Sequence, residues 1–178
     1  MSRTLVRKDE RVEVQYFKEN PKVSADPKLT YYWQDAGLIK STQGGFSGGL
    51  LHGKYQVFDT DGNLIKSGYF SKGLKDGEWK KWDGEGTLLK LTHWDDGLLD
   101  GTYLIFNDDG NISEKKNFKD GVLHGDQFKL INDTLKHTTT YDKGEEEIED
   151  SEPNEKPLWK KALFKEKTDS TTTKDSIP

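Results

Sequence analysis

Four polar side chains recur at one position of a repeated pattern and could in principle hold a metal ion. His52, Asp76, Asp100 and His124 stand at one constant interval along the chain. Imidazole and carboxylate ligands must converge to about 2 Å from one ion. Neighbouring units of two strands would separate these side chains by roughly 10 Å. We therefore expect polar residues in exposed turns here, with no metal and no cofactor.

Paired carboxylates suggest a second chemistry. Asp95-Asp96 and Asp108-Asp109 could supply the acid and the base for cleavage of a glycosidic bond. Each pair lies beside a glycine, where Asp ordinarily serves turn geometry, and exposed carboxylates lack the burial that separates acid from base. The sequence also contains no Cys, no G-x-x-x-x-G-K-[ST] phosphate loop and no serine nucleophile elbow. We expect no enzyme activity.

A short segment near the C-terminal end is the third candidate. The run KPLWKKALFKEK places apolar side chains among lysines. The candidate partner-binding residues are Leu158, Trp159, Lys160, Lys161, Leu163 and Phe164. Residues 156–167 hold five Lys against Glu166, a local charge of +4, which suits an acidic protein groove or an anionic membrane surface. The alternative is a passive linker, because the apolar stretch is too short for a stable isolated helix.

These candidates stand on, or follow, a tandem repeat. Gly-Leu-x-x-Gly begins at Gly49, Gly73 and Gly97, and Gly-Val-x-x-Gly begins at Gly121, always at the same interval. Each unit also has a turn signal midway, where glycine can adopt the positive φ of a tight turn. These signals are Asp61-Gly62, Glu85-Gly86, Asp109-Gly110 and, in the fourth unit, Asn132-Asp133. Each unit therefore reads as two strands joined by a turn, without room for a helix.

Apolar columns keep the same register. They are Leu50, Leu74, Leu98 and Val122; Tyr55, Trp79 and Tyr103; Phe58, Trp82, Phe106 and Leu130; and Phe70, Trp94, Phe118 and Tyr141. Trp79 and Trp82 are three apart, which places them on opposite faces of a strand unless a bulge intervenes. We expect Trp79, Trp82 and Trp94, in the middle units, to stabilise the fold more than their C-terminal counterparts.

The domain organisation follows from where the repeat starts and stops. Residues 1–48 form an irregular N-terminal capping unit, in which Val12–Phe17 is a strand and Leu29–Trp33 its successor. Residues 49–144 hold the four regular units, and residues 145–178 form a disordered acidic tail. We predict an all-β chain: a single elongated antiparallel meander of about eleven strands over residues 12–143.

Charge disfavours nucleic acid as a partner. Of the net charge of −5, residues 144–178 hold −4, from ten acidic and six basic residues, which leaves −1 for the rest. A nearly neutral body has no basic footprint for phosphate backbones. The chain as given shows no signal or transmembrane segment, so cytoplasmic and envelope locations both stay open.

The pattern Phe70-x-x-Gly73-x-x-x-Gly77-x-Trp79, which recurs from unit to unit, resembles MORN repeats, in particular the bacterial variant form. The resemblance covers about residues 38–144. It implies a β-hairpin repeat fold and a non-catalytic protein-binding or scaffolding function. Two alternatives come with it: an immunity or antitoxin-like protein that occludes a toxin, and a peripheral membrane-associated adaptor.

Overall fold

The computed structural model describes residues 2–6, 9–131 and 134–147. These residues form fourteen β-strands and no helix, which confirms the all-β prediction for the described part of the chain. The strands are β1 (Ser2–Val6), β2 (Arg11–Tyr16), β3 (Thr30–Asp35), β4 (Leu38–Gln43), β5 (Gly49–Phe58), β6 (Leu64–Ser71), β7 (Leu74–Trp82), β8 (Leu88–Asp95), β9 (Leu98–Phe106), β10 (Ile112–Lys119), β11 (Val122–Leu123), β12 (Gly125–Ile131), β13 (Thr134–Asp142) and β14 (Glu145–Glu147).

The strands form an antiparallel sheet. Its order is β1-β2-β5-β6-β7-β8-β9-β10-β12-β13-β14, so from β5 onward the chain is a meander, as predicted. The two-residue strand β11 pairs with β10, and the hairpin β3–β4 joins the sheet through the first residues of β5.

The predicted succession from the first N-terminal strand to β3 is wrong, because β2 pairs with β5. Val12 lies opposite Val57, whereas β3 meets β5 only at its beginning, with Trp33 opposite Leu50. Asn20, in the link between β2 and β3, holds this arrangement. Its side-chain amide donates to the Gly48 carbonyl oxygen at 2.8 Å, and its side-chain oxygen accepts the Leu50 N–H at 2.8 Å. The link therefore directs β3 away from β2, and β5 pairs with β2 instead.

Successive repeats are joined by two-residue turns in which both residues have positive φ. Lys72 and Gly73 have φ of 47° and 85°, a geometry that favours glycine at the second position and joins strands tightly. The same pair of positive values recurs at Asp96-Gly97, Asp120-Gly121 and Lys143-Gly144. The N–H of Gly73 donates to the Leu51 carbonyl oxygen at 2.7 Å. The repeated glycine thus ties each unit to the one before it.

The turn within each unit is organised by an acidic or amide side chain. Asp59 Oδ1 accepts the N–H groups of Asp61 at 3.0 Å and Asn63 at 2.8 Å, and Gly62 has φ of 89°. Asp83 and Asn107 repeat this role in the next two units. Desolvation is the largest single influence on the pKa of Asp59 and raises it, but the hydrogen bonds from Asn63, Asp61 and Gly62 together outweigh it, so the pKa is lowered.

The predicted positive-φ glycines of these turns are confirmed at Gly62, Gly86 and Gly110, while Asn132-Asp133 lies outside the described residues. The strand register also shifts next to each turn. In β7 the shift falls between Lys81 and Trp82. A bulge therefore lies between Trp79 and Trp82, and this answers a question that the sequence left open.

The segment predicted as a disordered tail begins in the sheet. β14 pairs with β13, with Glu146 opposite Tyr141. Residues 148–178, which hold the rest of that segment, lie outside the described residues.

Two apolar clusters form the core. The first gathers the buried residues Val12, Val14, Tyr16, Leu51, Val57, Phe70 and Trp79. The second gathers Tyr31, Trp33, Leu50 and Leu74, against which Phe17, Val23, Ala25, Leu29 and Phe46 pack. Most residues of the second cluster come from β3 and its flanking links, so the N-terminal residues cover the first two leucines of the repeat column.

Candidate binding face

Three lysines stand directly opposite one another on adjacent strands of one sheet face. Lys66 of β6 pairs with Lys81 of β7, and Lys81 pairs with Lys90 of β8. Like charges at directly opposed positions destabilise a sheet. A row of three such residues therefore needs a reason other than strand pairing.

Aromatic rings form the floor beside this row. Phe70 lies 4.8 Å from Trp79 and 5.5 Å from Tyr55 between ring centroids, and Tyr32 of β3 lies 5.0 Å from Phe70. The Trp79 indole covers Gly68, where a Cβ atom would approach the ring to 2.2 Å. Trp79 is only 5% exposed, and its Nε1–H donates to the Tyr69 carbonyl oxygen at 3.2 Å. The glycine in β6 is what lets the ring lie flat against the sheet.

Lys75 occupies the centre of this floor. Its Nζ lies 4.3 Å from the centroid of Trp94, 5.0 Å from that of Trp79 and 5.6 Å from that of Tyr32. These are cation–π distances. Burial, together with the positive charges of Lys66 and Lys90, lowers the pKa of Lys75 to about 8. The ammonium group is thus held by ring faces and repelled by neighbouring lysines.

Lys66 and Lys90 flank Lys75 on the neighbouring strands. Burial is the main cause that lowers the pKa of Lys66; Lys81 and Lys90 add to it, and the charge of Glu10 opposes it. Lys90 Nζ lies 4.2 Å from the Tyr103 ring centroid and donates to the Tyr103 hydroxyl at 2.9 Å.

These side chains line a cavity of about 360 Å³, which we call the lysine groove. Its lining residues are Lys66, Lys75, Trp79, Lys80, Lys81, Lys90, Thr92, Trp94, Leu99 and Tyr103. The lining includes five lysines and, among the described residues, no carboxylate. Lys80 alternates to the other face of β7 and pairs there with Glu78 at 2.6 Å. Such a surface is suited to holding negative charge over an apolar floor.

The described part of the chain offers no salt-bridge partner to the other four lysines of the groove. Two strands further on, the same face differs. Lys116, over the Tyr103 ring at 5.7 Å, pairs with Glu114 at 2.6 Å. The contrast shows that the sheet can neutralise a lysine over an aromatic ring, and that it does not do so in the groove.

The predicted His and Asp column serves the turns between repeats. His52 Nδ1 accepts the Lys72 N–H at 3.4 Å. Asp100 accepts the Asp120 N–H at 3.1 Å and pairs with Lys119 at 2.7 Å, and the hydrogen bond from Lys119 is the main cause that lowers the Asp100 pKa. Within the described ranges, no group of three or more His, Asp or Glu side chains could hold a metal ion.

The paired carboxylates singled out in the sequence do not line this groove. Asp95 is the last residue of β8 and Asp96 lies in the turn that follows, with φ of 41°. The candidates Leu158, Trp159, Lys160, Lys161, Leu163 and Phe164 lie outside the described residues. Across the parts of the chain that the structure describes, no helix is long and apolar enough to cross a membrane.

Sequence reasoning missed the lysine groove. Strand alternation alone places Lys66 with Phe70, and Lys90 with Trp94, on one face of each strand. Lys75 and Lys81 join them only through strand register, which includes the shift between Ser67 and Tyr69. The available signal was a row of like charges across three strands, and this row can be recognised only once the pairing of the strands is known.

The fold and this face define a class: an open antiparallel β-sheet built from tandem hairpins. Within it, residues 51–72 and 99–120 match the MORN repeat variant. These two segments are therefore similar to MORN repeats of the variant type, and the resemblance drawn from the glycine and aromatic columns is confirmed. MORN repeats are a non-catalytic family that generally serves as a protein- or membrane-binding scaffold. Comparison with curated proteins and with solved structures finds no match.

Proposed function

We propose that this chain is a non-catalytic protein-binding scaffold and that the lysine groove is its docking surface. The observation that carries the proposal is the row Lys66–Lys81–Lys90. Its opposed charges cost stability, and in the described part of the chain none of the three forms a salt bridge, although the charge of Glu10, which does not line the groove, acts on Lys66. Residues retained at a cost in stability are typical of functional sites.

The repeat architecture supports the same function. Each unit adds two strands to the sheet, and the turn glycines fix the connection between units. A rigid sheet presents its side chains at fixed spacings, which favours recognition of a partner at low entropic cost. Occlusion of a toxin would use the same groove. A membrane-bound adaptor would instead use residues 156–167, as the sequence predicts.

Site-specific photo-crosslinking in cells of the native host tests this proposal. A photoreactive residue replaces Lys81, which is exposed in the groove, or Lys54, an exposed lysine of β5, as the matched control. We expect a protein crosslinked from position 81 but not from 54, and its loss when Lys66→Gln and Lys90→Gln are added. Equal products from both positions would contradict docking in the groove. A third variant carries the photoreactive residue in place of Trp159, and a protein captured only by that variant would move the site to the C-terminal segment.

A further inference from the structure

We propose that the lysine groove binds the carboxylate side chains of an extended acidic segment of a partner protein. This inference rests on the proposed function and specifies the chemistry of the partner. The occupant must supply negative charge, because the described residues that line the groove supply none.

Elsewhere among the described residues, lysine amines pair with carboxylates of the same chain. Lys40 pairs with Asp35 at 2.8 Å, Lys116 with Glu114 at 2.6 Å and Lys119 with Asp100 at 2.7 Å. Each pair shows a lysine amine of this protein meeting a carboxylate within the fold. In the groove that partner is missing among the described residues, so a carboxylate from another chain would complete the same kind of contact.

The spacing of the lysines fits an extended chain. Lys66, Lys81 and Lys90 lie on three adjacent strands, so their Cα atoms span two interstrand distances, or roughly 10 Å. Alternate side chains of an extended peptide lie about 6.8 Å apart. Two acidic residues at positions i and i+2 therefore fall within reach of the row. A cavity of about 360 Å³ admits a few side chains, which suits a short segment.

The side-chain types favour carboxylates over phosphates. The groove has no Arg among its lining residues, and it lies on paired strands rather than at a helix N-terminus. Arginine forks, helix N-termini and backbone nests are the usual devices for holding phosphate. The strand N–H groups of this face are engaged in the sheet, so only single lysine donors remain.

The aromatic rings disfavour nucleic-acid bases and lipid. Base stacking needs an open ring face, but Trp79 is 5% exposed and Lys75 Nζ lies 5.0 Å from its centroid. Membrane anchoring needs aromatic side chains that can enter the interface, and here lysine ammonium groups lie over them. The floor can instead contact the methylene groups of acidic side chains.

Titration of the full chain with a blocked octaglutamate peptide, followed by tryptophan fluorescence and calorimetry, tests the inference. We expect saturable binding that weakens with salt. The pair Lys66→Gln and Lys90→Gln should bind about tenfold more weakly or worse, since charge-assisted hydrogen bonds are lost. Lys54→Gln should bind like the unaltered protein. Circular dichroism of each variant verifies the fold, and Lys81→Glu, at an exposed position, provides a second groove variant.

The pH dependence gives a sharper signature. Because the pKa of Lys75 is lowered to about 8, affinity should fall between pH 7 and pH 9. Lys75→Arg, which stays protonated, should remove most of that fall. The titratable groups around Lys75 are Lys66 from β6, Lys90 from β8 and Tyr32 from β3, whose ring centroid lies 5.6 Å from Lys75 Nζ and whose pKa is raised by burial.

Three outcomes would overturn the inference. If the peptide does not bind but crosslinking from position 81 still occurs, the groove remains a docking surface and the proposal of an acidic partner segment is rejected. If neither peptide binding nor crosslinking from position 81 is observed, the proposed function is rejected as well. Tighter binding of tripolyphosphate, or of phosphatidylserine vesicles, than of octaglutamate would assign the groove to phosphate-bearing ligands.

Discussion

The leucine column has the same local geometry at its two ends and different burial. Leu50 and Leu74 are 0% and 8% exposed, whereas Leu98 and Val122 are 38% and 45% exposed. Each of the four lies against the glycine that opens the next unit. That glycine donates its N–H to the preceding unit with nearly equal bond lengths, 2.7 to 2.9 Å. The repeat motif therefore determines the backbone, and something else determines burial.

The N-terminal residues cause this difference in burial along the leucine column. β3 and the links around it pack on Leu50 and Leu74, and Trp33 Nε1 donates to the Thr42 hydroxyl at 2.9 Å within that cover. In the described residues no comparable layer lies over Leu98 or Val122. A repeat sequence can thus encode a regular sheet whose stability is concentrated at one end.

The aromatic face changes in the same direction. Tyr32, from β3, extends the ring cluster over Phe70 and Lys75. In the fourth unit, Gln127 takes the position that Tyr103 occupies in the third. It is buried, and its Oε1 has no hydrogen-bond partner among the described groups. The lysine groove lies where the aromatic floor is continuous.

The largest effect is expected from truncating the column at its two ends. Leu50→Ala should lower the free energy of unfolding by about 2 to 5 kcal/mol, since a fully buried leucine leaves a cavity. Leu98→Ala, at a more exposed site, should cost less than about 1 kcal/mol. Urea denaturation of both variants measures this. Equal losses would show that the cover over Leu50 adds nothing.

A smaller loss of stability is expected when a side chain is added in the space beneath Trp79. Gly68→Ala should cost about 1 to 3 kcal/mol, because its Cβ would meet the indole at 2.2 Å and displace it. Gly45→Ala is the matched control, since nothing lies within 4 Å of its Cβ position. Thermal denaturation with tryptophan fluorescence follows both. Normal stability of Gly68→Ala would mean that the ring does not rest on β6.

The smallest effect is a pH dependence of the groove. With the folded-state pKa of Lys75 near 8 and its ordinary value 10.5, the unfolded chain binds more protons between those values. Stability contributed by this position therefore rises as pH increases from about 8 to 10.5. Lys75→Met should be more stable relative to the unaltered protein at pH 7 than at pH 10. A difference that stays constant with pH would show that Lys75 is solvated.

The sequence predicted what local chemistry determines. The period, the turn glycines Gly62 and Gly86 and the antiparallel strands follow from positive φ and side-chain alternation. The pairing of β2 with β5 depends on Asn20, whose bonds reach Gly48 and Leu50 across 28 and 30 residues. No local pattern encodes contacts of that range.

The burial of individual aromatic rings also could not be predicted from the sequence. Trp79 and Trp82 were both expected to stabilise the fold more than their C-terminal counterparts, without a distinction between them, yet Trp79 is buried and Trp82 is half-buried beside the bulge. The loss of about 3 to 5 kcal/mol that a fully buried tryptophan would give on truncation to Ala therefore belongs to Trp79. The candidate groove needed cross-strand register for the same reason, because Lys75 and Lys81 reach it from β7.

Native-state hydrogen exchange at four equivalent amides tests the central contrast most directly. Gly73, Gly97, Gly121 and Gly144 donate the same bond to the carbonyl oxygens of Leu51, Lys75, Leu99 and Leu123. If cover rather than local geometry sets stability, protection should be greatest at Gly73 and Gly97 and should decline toward Gly144. Equal protection at all four amides, or protection that rises toward Gly144, would contradict the account.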